Sequence, residues 1–145
     1  MDSLSIITIV GLLVLAGLTV VFLKMRRSDY LGEVMKKRQP GAKLVTRAYY
    51  VEGRETMPVA LTLTDTAILY ENSDLEASFD LDRIDEVEYS GELATGRTVP
   101  KGCRVMRLRV HGSMFEFELE QPECAKWMAA LPPHRLDDAP QAHAV

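Results

Sequence analysis

Two cysteines and three histidines in 145 residues leave little material for metal or redox chemistry. Cys103 and Cys124 have neither CxxC nor Cys/His spacing, and His111, His134 and His143 are scattered, so neither a metal site nor any other cofactor is expected. Missing too are a glycine-rich phosphate loop, an H-E-x-x-H pair, and any serine or cysteine beside a plausible base. Those absences remove the common hydrolase and nucleotide-dependent classes, and the chain reads as a non-enzyme. There is no excess of cations either. Seventeen Lys and Arg stand against twenty-one Asp and Glu, a formal charge of −4. Phosphate backbones are held by basic surfaces, so nucleic acid is not an expected partner.

What the chain does possess is a long apolar run. Leu4 to Leu23 contains no charge and no proline, and Ser5, Thr8 and Thr19 are its only polar residues. A helix can bond such hydroxyls to its own carbonyls. At about 1.5 Å per residue the run matches the roughly 30 Å hydrocarbon core of a bilayer. Met1-Asp2-Ser3 carries no Lys or Arg, whereas Lys24, Arg26 and Arg27 follow at once. The positive-inside rule then predicts a single-pass anchor in a plasma or bacterial inner membrane, with residues 1–3 outside and the C-terminal domain cytoplasmic. A cleaved signal peptide fits less well. The basic n-region is missing, the apolar run is too long, and Phe22-Leu23-Lys24-Met25 offers no small-x-small cleavage site.

Charge divides sharply beyond the anchor. Lys24 to Lys43 holds seven basic and two acidic residues, a net of +5, while Leu44 to Val145 holds ten basic and eighteen acidic, a net of −8. The basic juxtamembrane linker, 24–42, offers Lys24, Arg26, Arg27, Lys36, Lys37 and Arg38 as candidate membrane-surface contacts, each worth about 1 kcal/mol beside anionic headgroups. Tyr30, Leu31, Val34 and Met35 form one helical stripe before Gln39-Pro40-Gly41 ends it. The stripe could lie in the membrane interface, extend the anchor as a stalk, or pack on the domain.

From Lys43 the period turns from helix to strand. Strands are expected over 43–52, from Val59 to Leu63, at Ile68-Leu69-Tyr70, from Leu75 to Leu81, and from Ile84 to Tyr89. A two-residue loop at Asp65-Thr66 pairs Leu63 with Ile68 and Leu61 with Tyr70. For the last hairpin, Gly112-Ser113 as a type II′ turn sets Val110 against Phe115, Leu108 against Phe117 and Met106 against Leu119. The opposite face then pairs Arg109 with Glu116 and Arg107 with Glu118 in solvent. After Pro122, residues Cys124, Trp127, Met128 and Leu131 mark the apolar face of a helix that Pro132-Pro133 stops. The tail, 132–145, is proline, alanine and charge and is expected to be disordered.

Seven antiparallel strands followed by one tryptophan-bearing helix resemble the pleckstrin-homology (PH) superfold. The phrasing is most similar to GRAM-like and bacterial PH-like domains: Leu61-Thr-Leu-Thr-Asp-Thr-Ala-Ile-Leu-Tyr70, Phe79-Asp-Leu-Asp-Arg-Ile-Asp-Glu-Val-Glu-Tyr89, then a Phe-x-Phe-x-Leu strand. The resemblance covers 43–131. It implies a seven-stranded antiparallel PH-like barrel closed by the C-terminal helix, with Trp127 as the barrel cap. Phosphoinositide-binding PH domains cluster cations between strands one and two; the matching stretch here holds only Arg54, between Glu52 and Glu55.

The expected fold is thus a transmembrane helix, 4–23, plus a mainly-β domain. The expected function is a protein-interaction or scaffolding module on the cytoplasmic face. The alternative is an anionic-lipid sensor using the basic collar and the loop from Gly91 to Gly102, whose cations Arg97 and Lys101 make it the candidate recognition loop.

Overall fold

The computed structural model describes residues 3–135. Helix α1 runs without a break from Ser3 to Arg38 and ends in a 3-10 turn at Gln39–Gly41. Every large apolar side chain from Ile6 to Leu23 is exposed, and the helix is long and apolar enough to cross a membrane. The Thr19 hydroxyl donates to the Leu15 carbonyl at 2.8 Å, the internal satisfaction a lipid-facing helix requires.

The second half of α1 settles where the apolar stripe goes. Leu31 and Val34 are buried with Met35 against Ala60. Ala60 has no exposed surface, and its single methyl lets the helix lie close on the sheet. Arg38 then bonds Glu71 at 2.9 Å and reaches Glu76 at 3.4 Å. The stalk and the docked segment are therefore one continuous helix.

Eight strands follow: β1 Leu44–Glu52, β2 Glu55–Leu63, β3 Ala67–Glu71, β4 Glu76–Asp80, β5 Ile84–Ser90, β6 Cys103–Val110, β7 Ser113–Glu120 and β8 His134–Arg135, with α2 at Gln121–Ala130 before the last. They form one antiparallel sheet in the order β4-β3-β2-β1-β7-β6-β5-β8. The two halves pack their inner faces together, with Phe79 4.6 Å from Phe115 and Tyr70 5.3 Å from Phe117 between ring centroids. Trp127 and Cys124 of α2 are buried in the same core. Met128 is 40% exposed and does not share that face.

Two expectations are corrected here. The seven-stranded barrel is an open sheet of eight strands. Closure needs a ladder between the terminal strands in a consistent register. Instead a 3-10 turn at Leu81–Arg83 carries the chain out of β4, and β5 finds its outer partner in β8. The free edge at β4 is short and bears exposed Glu76, Ser78 and Asp80, a common protection against further pairing. The start of the tail is likewise ordered rather than disordered, since Glu86 opposes Arg135 and Val87 opposes His134. The remainder, 136–145, lies outside the described residues.

The β2–β3 register is as expected, Leu63 with Ile68 and Leu61 with Tyr70. The last hairpin is not. His111 (φ 48°) and Gly112 (φ 78°) form the turn, both left-handed as a type I′ turn demands. Val110 therefore opposes Ser113, Leu108 opposes Phe115, Met106 opposes Phe117, and Arg107 opposes Glu116. The shift is two residues, so each side chain keeps its face. A shift of one would have turned the core outward.

Tyr89 ties α2 to β5 through its hydroxyl, which donates to the Leu131 carbonyl at 2.7 Å. Burial pushes this phenol well above its ordinary 10.0, with the Cys124 thiol adding to the effect. The folded state therefore holds the proton more tightly than the unfolded chain. That stabilisation is complete below pH 10 and is lost as pH climbs above it. Tyr89→Phe is expected to cost about 1 kcal/mol at neutral pH and to flatten part of the alkaline decline in melting temperature. Tyr50, Tyr70 and the Cys103 and Cys124 thiols, all raised by burial, contribute in the same direction.

Candidate binding grooves

Strands β1 and β7 pair over only three positions, Tyr49 with Glu118, Tyr50 with Phe117 and Val51 with Glu116. Below them, Leu44 to Ala48 diverge from the end of β7, and α2 spans the gap. Thr46 donates its hydroxyl to Glu123 at 2.8 Å, and Lys126 bonds the other oxygen of Glu123 at 2.8 Å. These bonds, Lys126 first and Thr46 second, hold the Glu123 carboxyl below its ordinary range and keep it ionised. The divergence leaves an open groove of about 720 Å³ reaching from Met35 of α1 to Pro100 and Cys103. Glu118, Glu120 and Glu123 give one wall a negative character. The Cys103 thiol is pushed up by burial and by Glu118 and Glu120, which makes it a weak nucleophile.

A second cavity, about 590 Å³, lies where α1 leaves the sheet. Val20, Leu23, Lys24 and Arg27 line its helix side, and Arg47, Tyr49 and Pro58 its sheet side. Arg47 and Tyr49 border both spaces.

The anticipated site residues scatter. Lys24 and Arg27 line the second cavity, while Arg26, Lys36 and Lys37 are exposed and line neither groove. Arg38 is engaged by Glu71 and Glu76 and is a clamp between helix and sheet. The loop from Gly91 to Gly102 folds onto the outer face of the sheet. Its Leu93 is 3% exposed, its Ala94 N–H donates to Glu116 at 2.7 Å, and Arg107 donates to the Glu92 carbonyl at 3.1 Å. Arg97 reaches Glu118 at 3.8 Å and the Arg54 carbonyl at 3.4 Å. Lys101 is exposed. Trp127 sits fully buried in the core.

That loop also overturns the solvent-side pairing of arginines with glutamates. Arg107 bonds Glu116 and Glu88, and Arg109 bonds Glu86 rather than Glu116. Glu116 is 8% exposed because the loop covers it. Sequence reasoning missed Arg47, Tyr49 and the three groove glutamates. A usable signal existed: Val45, Arg47, Tyr49 and Val51 share the face of β1 opposite the buried Thr46 and Ala48 and combine apolar bulk with a cation.

Among the described residues no group of three His, Cys, Asp or Glu is placed to hold a metal ion. A scan against protein-family models finds no match, and a search of curated proteins finds none.

Proposed function

We propose that this chain is a non-catalytic, membrane-tethered PH-like module, close to the GRAM-like type, that holds a protein partner at the cytoplasmic face. The strand order β4-β3-β2-β1-β7-β6-β5 with α2 packed at its end supports the PH-like reading. The cation-free N-terminal flank and the basic residues after Leu23 support an outward N-terminus. The observation that carries the functional reading is the clamp of α1 on the sheet. Leu31, Val34 and Arg38 join an apolar rod to the domain without a flexible linker. A tether that merely localised a domain would need no such joint. A rigid one holds the 720 Å³ groove at a fixed height above the bilayer. The groove's glutamates outnumber its cations, Arg47 and Lys126, three to two, and Glu120, in no ion pair among the described residues, is placed to meet a Lys or Arg of a partner segment.

The test is photo-crosslinking in native membranes from Thr56, which lines the groove. A discrete protein adduct is expected, and it should vanish when Glu118→Lys and Glu120→Lys reverse the wall charge. No adduct, or one indifferent to that reversal, would refute the reading.

A further inference from the structure

The cavity between α1 and β1 differs in character from the acidic surface around it. Its charged lining residues are Lys24, Arg27 and Arg47, and no carboxylate lines it. All three cations are exposed, and none forms an ion pair among the described residues, although Arg38, Arg83, Arg97, Arg107 and Arg109 all do. Its lower wall, Val20 and Leu23, belongs to the apolar run itself, with 65% and 51% of each residue exposed.

Height along the helix decides what such a cavity can face. Val20 to Arg27 covers about 10 Å of helix, against headgroup layers that add roughly 5–8 Å per leaflet to the hydrocarbon. The lower wall therefore lies at acyl-chain level and the cations at phosphate level. Tyr49, 40% exposed, lines the sheet side of the same cavity, and amphipathic rings of this kind favour the membrane interface.

From these positions we propose that the cavity is a binding site for one anionic phospholipid of the bilayer that α1 spans. Its acyl chain lies along Val20 and Leu23. Its phosphate is held by Lys24 and Arg27 from the helix and Arg47 from the sheet. Arg47 is the discriminating group, because its planar guanidinium can grip two phosphate oxygens and is fixed by a strand rather than by the membrane helix. The site goes beyond partner binding and does not depend on it. A filled cavity would brace the joint between rod and domain from the membrane side.

The experiment uses the full chain in nanodiscs, with photoactivatable phosphatidylglycerol or phosphatidylcholine at equal trace amounts. Adducts are mapped by mass spectrometry. Phosphatidylglycerol is expected to label peptides containing Val20–Leu31 and Tyr49–Pro58 at least about thirtyfold more than phosphatidylcholine, as two or three surface cations warrant. Arg47→Gln should cut that preference about fivefold, the share of one cation among three. Arg26→Gln makes the same charge change at the same depth but outside the cavity, and should leave the preference intact. Millimolar inorganic phosphate should not compete, since it lacks the acyl chain. Equal labelling by both lipids overturns the site. So does an equal loss with Arg26→Gln, which would signal diffuse attraction, and so does displacement by free phosphate. Retained β-sheet circular dichroism in Arg47→Gln keeps a folding defect from imitating the expected result.

Discussion

Trp127→Ala is expected to lower stability by about 3–5 kcal/mol, the range for emptying a fully packed aromatic position. At about 4–8 °C per kcal/mol for a domain of this size, the transition should fall by at least ~12 °C. Calorimetry of the full chain in mild detergent reads it, because the apolar N-terminal helix does not melt with the sheet. The size of the effect follows from the open topology. The two halves of the sheet leave a mouth between them that α2 fills. Trp127 is the largest of the fully buried side chains that do so. Its indole Nε1–H is buried without a hydrogen-bond partner among the described residues. An unpaired buried donor costs about 1–3 kcal/mol, so Trp127→Phe should recover much of the loss. A melting point unmoved by Trp127→Ala would deny the helix its place in the core.

Apolar alternation made most of this architecture legible, because it is imposed by the water boundary. Leu61, Leu63, Ile68 and Tyr70 revealed both their strands and their register. The helix with Cys124 and Trp127 was equally visible, bounded by its prolines. Sheet closure was not legible, since whether two edge strands meet depends on tilt accumulated over the whole sheet. Nor was β8, two residues with no hydrophobic pattern. The last turn failed for a local reason: Gly112 suits either of two turn types, and only the positive φ at His111 separates them. The grooves were hidden because they join distant segments. Arg47 lies twenty residues beyond Arg27, and nothing in either neighbourhood announces the other. Leu93, a large apolar residue early in a polar loop, was the readable sign that Gly91–Gly102 lies down on the sheet.

Ala60→Glu is expected to undock α1 from the sheet while leaving the sheet folded. Ala60 is fully buried beneath Leu31 and Val34, pairs with Glu71 across β2 and β3, and faces outward from the main core. A glutamate there would overfill a space sized for a methyl, at about 1–3 kcal/mol. It would add a charge that docking must strip of water, at several kcal/mol more. It would also stand beside Glu71 and compete for Arg38, the cation that clamps that edge. Undocking relieves all three penalties at once, because the outer face then meets solvent. In exchange the helix gives up the burial of Leu31, Val34 and part of Met35 and the Arg38 bonds to Glu71 and Glu76. Spin labels on Lys37 and Asp74 would report the change as a broadened, lengthened distance distribution, with the domain's melting temperature within a few degrees of its original value. A melting temperature that collapses together with the docked distance would mean that α1 is part of the core. A domain that stays docked would mean that the joint is held elsewhere, and the fixed height of the acidic groove would lose its cause.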